Sequence, residues 1–115
     1  MENQELDSLV ARLVWGFVVI IDTQSGNNYI MGTDRQLIEL PHYSQDQEAA
    51  NLIEQEMEKH GWILTVRNTI DEDASKWLAS FLRKDERNYK LSSADTVPRA
   101  ICLAAVSAMQ GTNTK

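Results

Sequence analysis

Residues 97–110 read Val97-Pro98-Arg99-Ala100-Ile101-Cys102-Leu103-Ala104-Ala105-Val106-Ser107-Ala108-Met109-Gln110. The stretch reads as a helix with Asp95 or Thr96 as its N-cap. Pro98 falls in the first turn, where its missing N–H does no harm, and Gly111 is expected to close the helix. The apolar residues cover nearly the whole circumference. A helix that is apolar all round must be covered on more than one side. In a chain of 115 residues one cover is a β-sheet. The other is either the first helix or a second subunit, and the small alanines let a neighbour approach closely. The stretch therefore predicts a layered fold, and a homo-oligomer built through the C-terminal helix.

Working outward, residues 3–14 place Leu6, Leu9, Val10, Leu13 and Val14 on one helical face, with Glu5 and Asp7 in the first turns and Gly16 as the stop. Residues 17–21, Phe-Val-Val-Ile-Ile, read as a strand buried on both faces. Residues 22–28 are a turn by composition, and 29–31 return as a second strand. Residues 35–40 fit a short strand or an irregular segment. After Pro41, Ser44 is the expected N-cap of a second helix, with Gln47 completing a capping box. That helix runs to about His60 before Gly61. Its expected buried stripe is Ala49, Leu52, Ile53 and Met57. Residues 62–70 alternate as a strand with Trp62, Leu64 and Val66 on one side. Residues 71–73 are an acidic turn. Residues 76–83 suit a strand or a helix, and 85–88 read as a hairpin turn into 89–91.

The order helix, strands, helix, strands, helix predicts an α+β fold: an antiparallel sheet between helical layers, with three helices and four to five strands. One domain is expected over residues 1–111, with 112–115 a frayed tail.

Composition narrows the function classes. Apolar residues make up 43% and charged residues 24%, the balance of a soluble globular protein. The longest apolar stretch, 13–21, is about half of the ~20 residues that a membrane span needs. The polar, acidic N-terminus predicts no secretory signal, and the single cysteine predicts a reducing cytoplasm. Net charge is −6, and the basic residues are scattered, which disfavours duplex nucleic acid.

Motifs for chemistry are missing. His42, His60 and Cys102 are too far apart in sequence for a zinc pattern, and residues 22–26 lack the acids of a calcium loop. Neither a phosphate-binding glycine loop nor a G-x-S-x-G elbow occurs. Cys102 reads as a small core residue, His42 as a structural loop residue and residues 71–73 as a solvated turn. No catalytic residue, metal or cofactor is expected. Helix N-termini near Ser44 and Thr96 are generic anion sites. Arg99 could clamp a charge, and Trp77, Trp62 or Tyr43 could stack on a base. Tyr43, Ser44, Arg67, Trp77, Thr96 and Arg99 are therefore the candidate ligand-binding residues.

Three short signatures occur in a fixed order. They are Gln4-Glu5-Leu6-Asp7-Ser8-Leu9-Val10-Ala11 running into Trp15-Gly16, then Leu40-Pro41-His42-Tyr43-Ser44-Gln45-Asp46 followed by Ala49-Ala50, then Ala94-Asp95-Thr96-Val97-Pro98-Arg99-Ala100-Ile101-Cys102-Leu103-Ala104-Ala105. Over residues 4 to about 108 the chain resembles the phage ABA-sandwich domain family, small proteins of phages and prophages. It departs at Gln45 and Leu103, where a small hydroxyl residue and often an arginine are expected. The resemblance favours a strand over 76–83 and implies a phage setting in the cytoplasm of an infected bacterium. It implies no reaction. The expected function is a small non-enzymatic binding protein, a counter-defence sponge for a nucleotide-derived immune signal such as a cyclic ADP-ribose or cyclic oligonucleotide. The alternative is a protein–protein adaptor with no small ligand.

Overall fold

A computed structural model describes residues 2–31, 35–71, 74–83 and 91–112. Helix α1 (Asn3–Val10) buries Leu6, Asp7, Ser8 and Val10. Residues 3–14 do not form one uniform helix. The chain widens into a π-helical turn over Ala11–Trp15, and Gly16 ends it in the left-handed region at φ 73°. The Phe17 N–H reaches back to the Ala11 carbonyl at 3.1 Å, which closes the terminus.

Strands β1 (Val18–Ile21), β2 (Asn28–Met31) and β3 (Leu37–Glu39) form one antiparallel sheet in that order. The β1–β2 connection is the turn expected at 22–28. The Asp22 carboxylate closes it by accepting from Gln24 N (3.0 Å), Ser25 N (3.4 Å) and Ser25 Oγ (2.8 Å). Asn28 and Ile30 turn inward. Val18 and Leu37, on the opposite face, are 61% and 55% exposed. The expectation that 17–21 is buried on both faces is therefore corrected. Among the described residues β1 is an edge strand, and the face of its sheet that holds Val18 and Leu37 is left largely uncovered.

Helix α2 (Gln47–Lys59) is capped by Asp46, whose carboxylate accepts from Glu48 N at 3.0 Å. Ser44 is not the cap. It lies two residues earlier, in a bend where the His42 carbonyl receives both Gln45 N and Asp46 N. The buried stripe is Ala49, Ala50, Ile53 and Met57, while Leu52 is 47% exposed and faces outward beside β3. Gly61 stops the helix at φ 88°.

A second antiparallel sheet contains β4 (Trp62–Asp71), β5 (Ala74–Arg83) and β6 (Ser92–Ala94). Residues 76–83 are thus strand, in register from Trp62 opposite Arg83 to Asp71 opposite Ala74. The third strand of this sheet falls at 92–94, and of the strand expected at 89–91 residues 89 and 90 lie outside the described residues. The expected turns at 71–73 and 85–88 lie partly or wholly outside the described residues. Among the described residues the strands number six, slightly more than expected, in two antiparallel sheets.

Helix α3 (Val97–Thr112) begins at Thr96, whose hydroxyl accepts from Arg99 N at 3.4 Å, and it runs through Gly111. It packs on β5 and β6 on one side and on α1 and α2 on the other. Ala100, Ile101, Cys102, Ala104 and Ala105 are buried in the single core cluster. The second cover of this all-round apolar helix is therefore supplied within the chain by α1 and α2. The α+β sandwich follows from this one placement, with a helix buried between a sheet and a helical layer.

Candidate functional site

Asp7 is 2% exposed, although a carboxylate is seldom fully buried unless it is paired. Its Oδ1 accepts the Ser44 N–H at 2.8 Å, tying α1 to the bend before α2. Burial raises its pKa above 3.8, and the Ser44 contacts, His42 and Arg99 pull against that rise. The Arg99 guanidinium also donates to Asn3 Oδ1, so α3 joins the same knot. Burial and the nearby Asp7 charge push up the Tyr43 phenol and the Cys102 thiol. Cys102 is fully buried and has no activating base; it is a core residue.

Four of the six expected ligand-binding residues meet around this knot. Tyr43 and Ser44 are each 2% exposed, and the Ser44 N–H is already committed to Asp7. Thr96 caps α3, and Arg99 reaches Asn3. Arg67 and Trp77 lie elsewhere, on the second sheet. Trp77 pairs with Asn68, so it shares the core-facing side with Trp62. Arg67, one residue from Asn68, points to the other side. The six do not form one pocket.

Two open polar cavities flank the knot. One, about 300 Å³, is lined by Asn3, Asp7, Asn28, Glu39, His42 and Gln45 among others. The other, about 540 Å³, is lined by Glu2, Glu5, Ser8, Arg12 and Asp22 among others. Carboxylates outnumber cations in both, which disfavours a phosphate. Among the described residues, no group of three or more His, Cys, Asp or Glu is placed to hold a metal ion.

A third cavity differs in kind. Trp15 stacks on Phe17 (centroids 5.8 Å apart, planes within 2°) and on Tyr43 (5.2 Å, 20°). The three rings line one end of a groove between the first sheet and α2. Ile30, Ile38, Pro41 and Leu52 complete its apolar lining, and Gln55, Glu56 and Lys59 form a polar rim. The groove holds about 270 Å³. Ile38 and Leu52 are 52% and 47% exposed. Glu56 holds Lys59 at 3.4 Å and His60 at 3.6 Å, so the rim cation already has a counter-charge. Sequence reasoning found only Tyr43 here. The available signal was the pair of aromatics flanking the helix stop at Gly16, with an outward Leu52 one helical turn from Glu56.

The family model described as Phage ABA sandwich domain matches residues 8–106. The chain belongs to this family. Its three signatures hold the Asp7–Ser44 tether, the Trp15–Tyr43 stack and the α3 core, which are packing features rather than reacting groups. A solved structure described as the 2.0 Å crystal structure of a phage protein from Bacillus cereus ATCC 14579 shares the fold, with a TM-score of 0.72. It is 22% identical, and the match covers 96% of this chain and 89% of that one. No curated protein matches the chain. Among the described residues, no helix is long and apolar enough to cross a membrane.

Proposed function

We propose that this member of the phage ABA-sandwich family is a non-enzymatic binding protein of the infected bacterial cytoplasm, and that its target is a protein. The observation that supports this most is the apolar groove between β3 and α2, lined by stacked Phe17, Trp15 and Tyr43 and flanked by half-exposed Ile38 and Leu52. A concave aromatic patch with a polar rim suits an apolar side chain from a partner.

A sponge for a nucleotide-derived signal has less support. The residues expected to hold such a ligand are split between two regions, and the polar cavities carry carboxylates. The test replaces Leu52 and Ile38 by Glu and confirms the fold by circular dichroism. Loss of one defined protein partner that copurifies with the wild type from phage-infected cells is the expected result. Native mass spectrometry with added cyclic nucleotides runs alongside. A nucleotide adduct that persists in the double variant would return the sponge reading to first place.

A further inference from the structure

We infer that two copies of this chain pair edge to edge through β1, the two antiparallel strands making one continuous six-stranded sheet. The inference rests on backbone hydrogen bonds and does not depend on the groove.

Asp22 N donates to Asn27 O at 3.1 Å, and the register then runs Ile21 opposite Asn28 to Val18 opposite Met31. In an antiparallel ladder the bonded pairs alternate. Ile20 and Val18 therefore bond inward to β2. Val19 and Ile21 turn their N–H and C=O groups outward. Consistent with this, Asn28 uses its carbonyl on the far side, where it accepts Leu40 N at 2.9 Å. Among the described residues, no strand pairs with the outer edge of β1.

Natural edge strands are usually protected by a charge, a proline or a bulge. β1 has none of these. Its four residues are Val, Val, Ile and Ile, with Val18 61% and Ile21 69% exposed. The other edge, β3, ends in Glu39 with Pro41 just beyond.

The occupant is a second copy because the edge complements itself. With a two-fold axis at Ile20, Val19 of each strand meets Ile21 of the other. All four outward groups on each copy are then satisfied. Asp22 lies about 14 Å from its symmetry mate at ~3.4 Å per residue, beyond the Debye length of ~8 Å at physiological salt, and of the charges lining the cavity beside Ile21, Arg12 offsets one of Glu2 and Glu5. The net charge of −6 therefore opposes the pairing weakly. Covering Val18, Ile21 and the strand backbones in both copies removes roughly 600–800 Å² from water, well below the ~1,200 Å² of a stable specific interface, so the dimer is weak and dissociates on dilution.

The experiment is sedimentation velocity over a concentration series for the wild type, Val19→Pro and Ile21→Lys. Val19→Pro removes an outward N–H and leaves the β2 ladder intact. Ile21→Lys places a charge beside its own copy and serves if the proline variant fails to fold. The wild type is expected to dimerise as concentration rises, with at least a tenfold weaker association in Ile21→Lys. Under oxidation, Ile20→Cys should cross-link readily and Thr23→Cys should not. A wild type that stays monomeric throughout overturns the inference. So does a dimer that Ile21→Lys leaves unchanged, or equal cross-linking at 20 and 23.

Discussion

Ile53 and Leu52 are neighbours on α2 with nearly equal volume, yet Ile53 is fully buried and Leu52 is 47% exposed. Replacing each by Ala separates core from surface on one helix. Ile53→Ala deletes three buried carbons, about 2.4 kcal/mol at ~0.8 kcal/mol each, and leaves a cavity that brings the loss to roughly 3–4 kcal/mol. Leu52→Ala loses about half the transfer contribution and opens no closed cavity, so about 1 kcal/mol. A small domain has about 5–15 kcal/mol of stability, so both variants should still fold. Urea unfolding followed by fluorescence of Trp15, Trp62 and Trp77 reads the difference. With a slope of about 1.3 kcal/mol per molar urea, Ile53→Ala should lower the midpoint by roughly 2.5 M and Leu52→Ala by less than ~1 M. Equal shifts would refute the orientation of α2. They would also remove the groove's outer wall, since Leu52 would then belong to the core.

Three further outcomes follow from the same geometry. Asp46→Ala should cost about 1 kcal/mol in a chemical melt by removing the α2 cap, whereas Gln47→Ala should change little, since no capping box forms. Asp7→Asn tests the buried carboxyl. Its folded pKa lies above 3.8, so the folded state holds the proton more tightly than the unfolded chain does. The stability it contributes is complete below that value and is lost as pH rises through the folded pKa. The wild type should therefore fall behind the Asn variant as pH rises above about 4, and a gap that narrows as pH rises would contradict the burial. The Cys102 thiol should resist a thiol reagent in the folded protein and react fully in denaturant, because burial both shields it and disfavours the thiolate.

The helices, and the alternation that made 62–70 a strand, were legible because a single period governs each of them. The N-cap was not. Ser44 and Asp46 are both good caps two residues apart, and what decides between them is a hydrogen bond from Ser44 to Asp7, 37 residues away. Periodicity also showed that α3 needs two covers but not which elements supply them. The aromatic groove escaped for a similar reason. Trp15 and Tyr43 are 28 positions apart and meet only after the π-helical turn and Gly16 have set the angle of entry into β1. The ligand-binding residues were chosen for their chemical type, one at a time. The fold scatters Arg67 and Trp77 to opposite faces of a sheet that no local pattern could have oriented against α1.

The contact between α1 and α3 joins the first helix of the chain to the last. During synthesis α1 emerges first, carrying Leu6 and Val10 that are destined for full burial. The helix it packs against does not exist until residues 97–112 have been made. Closing that loop spans nearly the whole sequence, whereas β4 and β5 pair with only two residues between them. The nascent protein therefore passes through a stage in which a finished hairpin coexists with an undocked, partly apolar N-terminus, and that is the interval in which a chaperone or a protease would find it.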